Sequence, residues 1–344
     1  FQQVAAGATL RTAPDSSATI VCLSGQAYRV TGGQRVAITS TLCQRAQPLP
    51  ANSIPAVAPN NGSLVEKIDS SVIVEGETRE RESDYGQLPI ILSPRNTSLL
   101  TLTPTLTWVD VSGALEYVLR LSGLSSFDDV VIVAADLACV EDERTAPNRI
   151  CTVAWPAAWP IEPAQRYFFT VSARTGIASP LRESETSALR TLTAADAAQL
   201  QATVAEIEAL DLDPVTRNLL LAGHYRAYGV LEQAIVAYVQ AYALQPVSEV
   251  AVALGDLYLK VDLQRFALRA YQDTLDQLAT AEKDNPAARA AAEFGIGLVY
   301  YSRANYAEAE PHFVEAVELY TQIGAESERN AAQAALQATR ERLS

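Results

Sequence analysis

The C-terminal half of the chain repeats itself, and no other feature restricts the fold as much. Leu221-Ala-Gly-His-Tyr225 is followed by Ala234, Tyr238, Ala241 and Pro246; Leu254-Gly-Asp-Leu-Tyr258 by Ala267 and Tyr271; Ile296-Gly-Leu-Val-Tyr300 by Ala309, Phe313 and Ala316. From Thr193 onward apolar positions recur about every 3.6 residues, which predicts helices. Corresponding alanines lie 33 residues apart between the first two copies and 42 between the next two, which places an insertion around Lys283 to Ala288. One helix pair leaves an apolar face bare, so the copies must stack. The small residues Ala222, Gly255 and Gly297 let two helices approach closely, with Tyr225, Tyr258 and Tyr300 expected to wedge into the space at Ala234, Ala267 and Ala309. Thr193 suits the cap of a helix over Ala194 to Leu210, Asp213-Pro214 opens the array, and Ala325 to Leu343 reads as a charged closing helix.

The pattern resembles the tetratricopeptide repeat, whose unit is a pair of antiparallel helices of about 34 residues. The resemblance implies a solenoid over residues 193–344, with a concave groove of the kind that binds peptides or neighbouring domains. Leu221, Tyr225, Ala234, Tyr238, Gly255, Tyr258, Ala267, Tyr271, Gly297, Tyr300, Ala309 and Phe313 are its packing residues.

Residues 88–192 alternate with a period of two, as in Leu106-Thr-Trp-Val109, Glu116-Tyr-Val-Leu-Arg-Leu121, Val130 to Val133 and Tyr167-Phe-Phe-Thr-Val171. With Ser93-Pro-Arg-Asn, Trp108 and Tyr117, this stretch resembles an immunoglobulin or fibronectin type III-like sandwich, in which the tryptophan fills the space between the sheets. The segment from Phe127 to Trp159 is longer than that family's usual connection, and its Ala154-Trp-Pro-Ala-Ala-Trp-Pro160 either covers the core or forms a contact ridge. Residues 46–87 combine a linker rich in Pro, Ala, Asn and Ser with an isolated strand at Val72-Ile73-Val74 that has no partner nearby in sequence. Short β-rich runs within residues 1–45, punctuated by Pro14-Asp15, Gly25 and Gly32-Gly33, predict hairpins. Gly7-Ala-Thr-Leu-Arg-Thr-Ala-Pro-Asp-Ser-Ser-Ala-Thr-Ile-Val21 resembles the start of FecR-like exported β-domains. The expected fold class is therefore multidomain, all-β followed by all-α: a small β-domain, a sandwich, and a helical solenoid.

Charge narrows the function. The net charge of -14 argues against a general nucleic-acid binder, and no apolar run approaches the roughly 20 residues of a membrane span. Residues 1–60 hold four arginines against Asp15 alone, whereas residues 193–344 hold 21 acids against 11 bases. The two ends therefore differ in sign. The chain begins at Phe1 and has no methionine, which fits export with a signal peptide removed. Cys22 with Cys43 and Cys139 with Cys151 fit two local disulfides of an oxidising compartment, buried free thiols being the alternative.

Catalysis finds no footing. His224 and His312 lie within the repeats without ligand spacing, and no nucleophile elbow, phosphate loop or dinucleotide fingerprint occurs. Asp128-Asp129 and Glu141-Asp-Glu143 lack the calcium-loop spacing and read as solvated acids. No cofactor or metal is expected. Asn61-Gly-Ser63 and Asn96-Thr-Ser98 are glycosylation acceptor sequons. Two functions remain: a secreted or cell-surface structural protein that assembles head to tail into a filament, or an envelope adaptor whose helical groove binds a different protein. The partner is accordingly another copy of the chain or another envelope protein.

Overall fold

The computed structural model describes residues 9–11, 18–21, 27–30, 35–37, 85–125, 127–280 and 285–344. The first four pieces are strands β1 (Thr9–Arg11), β2 (Ala18–Val21), β3 (Ala27–Val30) and β4 (Arg35–Ala37). β2 and β3 pair antiparallel, and so do β1 and β4, giving two ribbons of two strands each.

Ten strands follow: β5 (Ile90–Ser93), β6 (Thr97–Leu99), β7 (Leu106–Val109), β8 (Glu116–Ser122) and β9 (Val130–Val133). Then come β10 (Cys139–Glu141), β11 (Arg149–Val153), β12 (Arg166–Arg174), β13 (Arg182–Glu183) and β14 (Ser187–Thr191). One sheet has the order β10-β11-β7-β5; the other runs β6-β14-β12-β8-β9, with β13 attached to β12. Alternation decides what faces inward: Ser187, Leu189 and Thr191 of β14 are buried while Ala188 and Arg190 are exposed.

Inward residues of both sheets form one core around Ile91, Leu106, Trp108, Tyr117, Leu119, Phe169, Val171 and Leu189. Trp108 is fully buried, with its ring 5.2 Å from that of Tyr117. Truncating such a side chain to alanine costs about 3 to 5 kcal/mol. The long segment after Phe127 adds β10 and β11 to the first sheet and then lays Trp155 and Trp159 over the core. Trp155 donates to the Trp159 carbonyl at 2.8 Å and Trp159 to that of Asp128 at 2.9 Å, so both indoles are covered and paired rather than presented as a ridge.

The rest is helical: α1 (Ala194–Ala209), α2 (Pro214–Ala227), α3 (Leu231–Leu244), α4 (Ser248–Lys260), α5 (Gln264–Thr280), α6 (Pro286–Ser302), α7 (Tyr306–Gln322) and α8 (Glu326–Leu343). Starts are capped as their sequences dictate. The Thr193 hydroxyl accepts from the Asp196 amide at 3.0 Å, and the Asp213 carboxylate from the Thr216 amide at 3.0 Å, with Pro214 in the first turn. The successive pairs α2/α3, α4/α5 and α6/α7 form a stack of hairpins, with α1 packed on α2 and α8 on α7. The wide spacing between the second and third copies resides largely in the helices themselves: α5 and α6 have 17 residues each, against 14 in α3 and 13 in α4.

The turns that follow α2, α4, α6 and α7 share one design. A residue at positive φ (Gly229, Asp262, Ala304, Gly324) ends the first helix, and the next amide donates back to a tyrosine carbonyl. Those bonds are Val230 to Tyr225, Leu263 to Tyr258, Asn305 to Tyr300 and Ala325 to Tyr320, at 2.8 to 2.9 Å. The packing of the glycines differs from expectation. A Cβ on Gly255 would overlap the Tyr271 ring, and one on Gly297 would lie 2.6 Å from that of Phe313. The aromatics that fill these notches therefore come from the second helix of each pair. Tyr225 and Tyr300 remain half-buried, whereas Tyr258 packs against Phe266 at 5.4 Å.

Candidate interaction surfaces

The two-sheet part and the helical array meet along a strap. After Pro94 the chain runs as Arg95-Asn96-Thr97 across the turns of the first two hairpins. Arg95 is only 5% exposed. Its Nε donates to the Val261 carbonyl at 2.8 Å and its Nη2 to the Asp262 carbonyl at 2.9 Å. A guanidinium placed there offsets the partial negative charge at the end of α4. Arg95 also pairs with Glu185 at 2.7 Å and the Asp262 carboxylate at 3.3 Å. Burial, reinforced by Asp262 and opposed by Arg95, holds the Glu185 carboxyl above its ordinary range.

One residue further on, Thr97 replaces a missing cap. Val230, which precedes α3, offers no side-chain acceptor, and the Thr97 hydroxyl takes the Leu231 amide at 2.8 Å. The Ser98 amide donates to the Gly229 carbonyl at 2.8 Å. The Ser93 hydroxyl donates to the Glu232 carboxylate, whose pKa burial raises and this bond lowers. Below the strap, Arg265 lies over the Tyr85 ring at 4.5 Å and donates to the Ala146 carbonyl at 3.0 Å. Tyr85, Ile90 and Val109 share an apolar cluster with helical residues such as Leu257, Val261 and Phe266. Apolar cluster, ion pairs and caps make the contact a fixed joint rather than a tether.

Away from that joint, two sheet edges have no further partner strand among the described residues. β9 ends the six-stranded sheet and β10 the four-stranded one. Only residues 134–138 separate them. Val130 and Ile132 pack on the core, while Val131 and Val133 point outward at 57% and 52% exposure, and Val140 on β10 at 61%. The unpaired backbone of such an edge is a template for a further strand. Cys139 and Cys151 are opposite each other in the β10/β11 register and are joined, which fastens one of these edges to its sheet.

No catalytic constellation accompanies these surfaces among the described residues. His224 is 2% exposed and packs edge-on to Tyr228, with its pKa lowered by burial; His312 contacts Glu293 at 2.7 Å and stacks on Tyr300. The potential metal ligands Asp110, Cys139 and Cys151 lie close together, but the sulfurs are bonded to each other and Asp110 is engaged by Arg149 and the Tyr117 hydroxyl.

The remaining sequence-derived residues divide as follows. Cys22, Cys43, Asn61, Val72, Ile73 and Val74 lie outside the described residues. Asn96 is not a free acceptor for a glycan. Its amide nitrogen donates to the Val261 carbonyl at 3.3 Å and its oxygen accepts from the Ala188 amide at 3.0 Å, so it belongs to the strap. Ala234, Tyr238, Ala267, Tyr271, Ala309 and Phe313 are buried at 0 to 1% exposure. Sequence reasoning missed the strap and the left-handed turns. The turns left a signal, a tyrosine four residues before each positive-φ position, but glycine marks only two of the four.

These features define a class: a helical-hairpin array rigidly joined to a two-sheet β-domain, with open strand edges and no reaction centre among the described residues. The helical C-terminal region fits the tetratricopeptide type. No protein-family model matches the sequence, and no curated protein matches it. Solved structures show a likeness over a share of the chain comparable to the array. MamA is similar at 20% identity over 43% of this chain and 91% of its own, with a TM-score of 0.30. Bacillus thuringiensis PlcR, in complex with the peptide PapR7 and DNA, is similar at 14% identity over 42% of this chain and 61% of its own, at 0.33. BtubC from P. vanneervenii is similar at 16% identity over 43% of this chain and 72% of its own, at 0.31.

Proposed function

We propose that the protein is a non-enzymatic, exported structural protein that assembles head to tail into a filament at the cell surface. In this reading residues 88–192 are a fibronectin type III-like sandwich, residues 1–45 a FecR-like β-domain, and the array a rigid arm. The observation that carries it is the pair of edges at β9 and β10 that no described strand covers, with valines facing outward along them. An added strand gains backbone hydrogen bonds from the edge and register from alternate side chains. A contact between two different surfaces of one molecule continues indefinitely unless its rotation closes a ring. The disulfide at Cys139 supports an oxidising compartment.

Electron microscopy and light scattering of the full chain at increasing concentration test this reading. Regular fibres are expected, and they should be lost in a Val72→Lys, Val74→Lys double variant or on deletion of Phe1 to Leu10. Dispersed monomers at high concentration across pH and salt would overturn it and leave the adaptor, with the array binding a different protein, as the better account.

A further inference from the structure

The two edges carry one sign of charge. Residues 127–143, which contain β9, the connecting turn and β10, hold six acids and no lysine or arginine. Asp129 is engaged by Arg120 and Asp142 by Arg144. Asp128, Asp136 and Glu141 are exposed and hold no ion pair among the described residues. The acids therefore flank the outward valines and leave a negative rim around an apolar, backbone-open centre. A partner for such a surface needs a strand to add, and basic residues at its margin.

One part of the chain has both. β1 and β4 pair only with each other among the described residues. An isolated ribbon of two strands is marginally stable in water, and a third strand is the usual remedy. Arg11 and Arg35 occupy opposed register positions in this ribbon. Residues 1–45 as a whole hold four arginines against one aspartate.

We infer that the β9/β10 edge receives the β1–β4 ribbon of a second copy of this chain, with the acidic rim of Asp128, Asp136 and Glu141 facing the basic N-terminal region that holds Arg11 and Arg35. This assignment rests on the head-to-tail reading and names its contact. Backbone pairing along β9 supplies affinity, Val131 and Val133 bury against the incoming strand, and the charges set which edge is chosen.

The test is a charge exchange in the full chain, read by sedimentation velocity. One variant carries Asp128→Lys, Asp136→Lys and Glu141→Lys; a second carries Arg11→Glu and Arg35→Glu; a third carries all five. Wild type should associate, each of the first two should associate at least about tenfold more weakly, and the third should recover most of the loss. Val133→Ser, at a position already pointing outward, should weaken association without any change of charge on the rim. Thermal unfolding of the first variant should match wild type, since no replaced acid holds an ion pair among the described residues. Association of either charge variant at wild-type strength, or failure of the five-site variant to recover, overturns this contact and leaves assembly through another surface standing. A wild-type chain that stays monomeric overturns the assembly reading, and this contact with it.

Discussion

Asp256 shows how one side chain ties packing to pH. It sits on α4 where Tyr271 crosses from α5 and donates its hydroxyl to the carboxylate at 2.7 Å. Tyr271 has no other place to go, because its ring fills the notches at both Gly255 and Gly295. Burial raises the Asp256 pKa to about 6, against the opposing effects of Tyr271 and Arg226. An acid whose folded pKa is raised gives stability that is complete below its unfolded pKa, near 4, and lost as pH climbs through the folded value. Asp256→Asn keeps an acceptor for Tyr271 and removes the charge. It should therefore flatten the decline in stability between about pH 4 and 7 and gain roughly 1 to 3 kcal/mol on wild type at pH 8. Urea unfolding at several pH values measures this, and an unchanged slope would sink the argument. Gly295→Ala should destabilise in the opposite sense, by about 1 to 3 kcal/mol or more, since the added methyl overlaps the Tyr271 ring.

At the scale of elements, strand and helix positions were legible wherever periodicity met a local stop. Leu106–Val109 and Val130–Val133 are strands with the ends that their alternation suggests, and Thr193 and Asp213 cap the helices that follow them. The origin of the tight helix contacts was less legible. Glycine spacing announces that something large approaches, but not from which helix, and Tyr271 and Phe313 proved to be the occupants. Ala267 and Ala309, buried in the second helices of their hairpins, allow no larger residue. Ala267→Trp or Ala309→Trp should lower the thermal midpoint of the helical array by several degrees, for a cost of about 1 to 3 kcal/mol. Unaltered melting of both would mean that the helices part there freely.

The whole molecule behaves according to its joint. Sequence periodicity separates a β-part from an α-part at Thr193, and it gives no hint that Arg95 and Thr97 reach across to the array. Contacts more than 130 residues apart in the chain leave no periodic trace: Thr97 with Leu231 and Arg95 with Asp262 are readable only in three dimensions. Because the joint combines a buried ion pair, a borrowed cap and a shared apolar cluster, the two parts should unfold together. Arg95→Ala leaves Glu185 and Asp262 without their cation and uncovers the end of α4, a loss of about 3 to 5 kcal/mol at the joint. Calorimetry should show one transition for wild type and two for this variant; a single transition in both would argue that the sheet and the helices cohere without the strap.

The borrowed cap also bears on how such an array can lengthen. Its hairpins look alike in sequence, yet they are not interchangeable parts. The turns at Gly229 and Val261-Asp262 are each fitted to one stretch of a β-domain that is made once per chain. A duplicated hairpin inserted between them would shift the Val261-Asp262 turn off Arg95, and one inserted before them would also leave α3 without Thr97. One added beyond α5 would disturb neither. Lineages of this protein that vary in repeat number should therefore gain and lose copies at the C-terminal end of the stack, with the first two hairpins constant in number and in length.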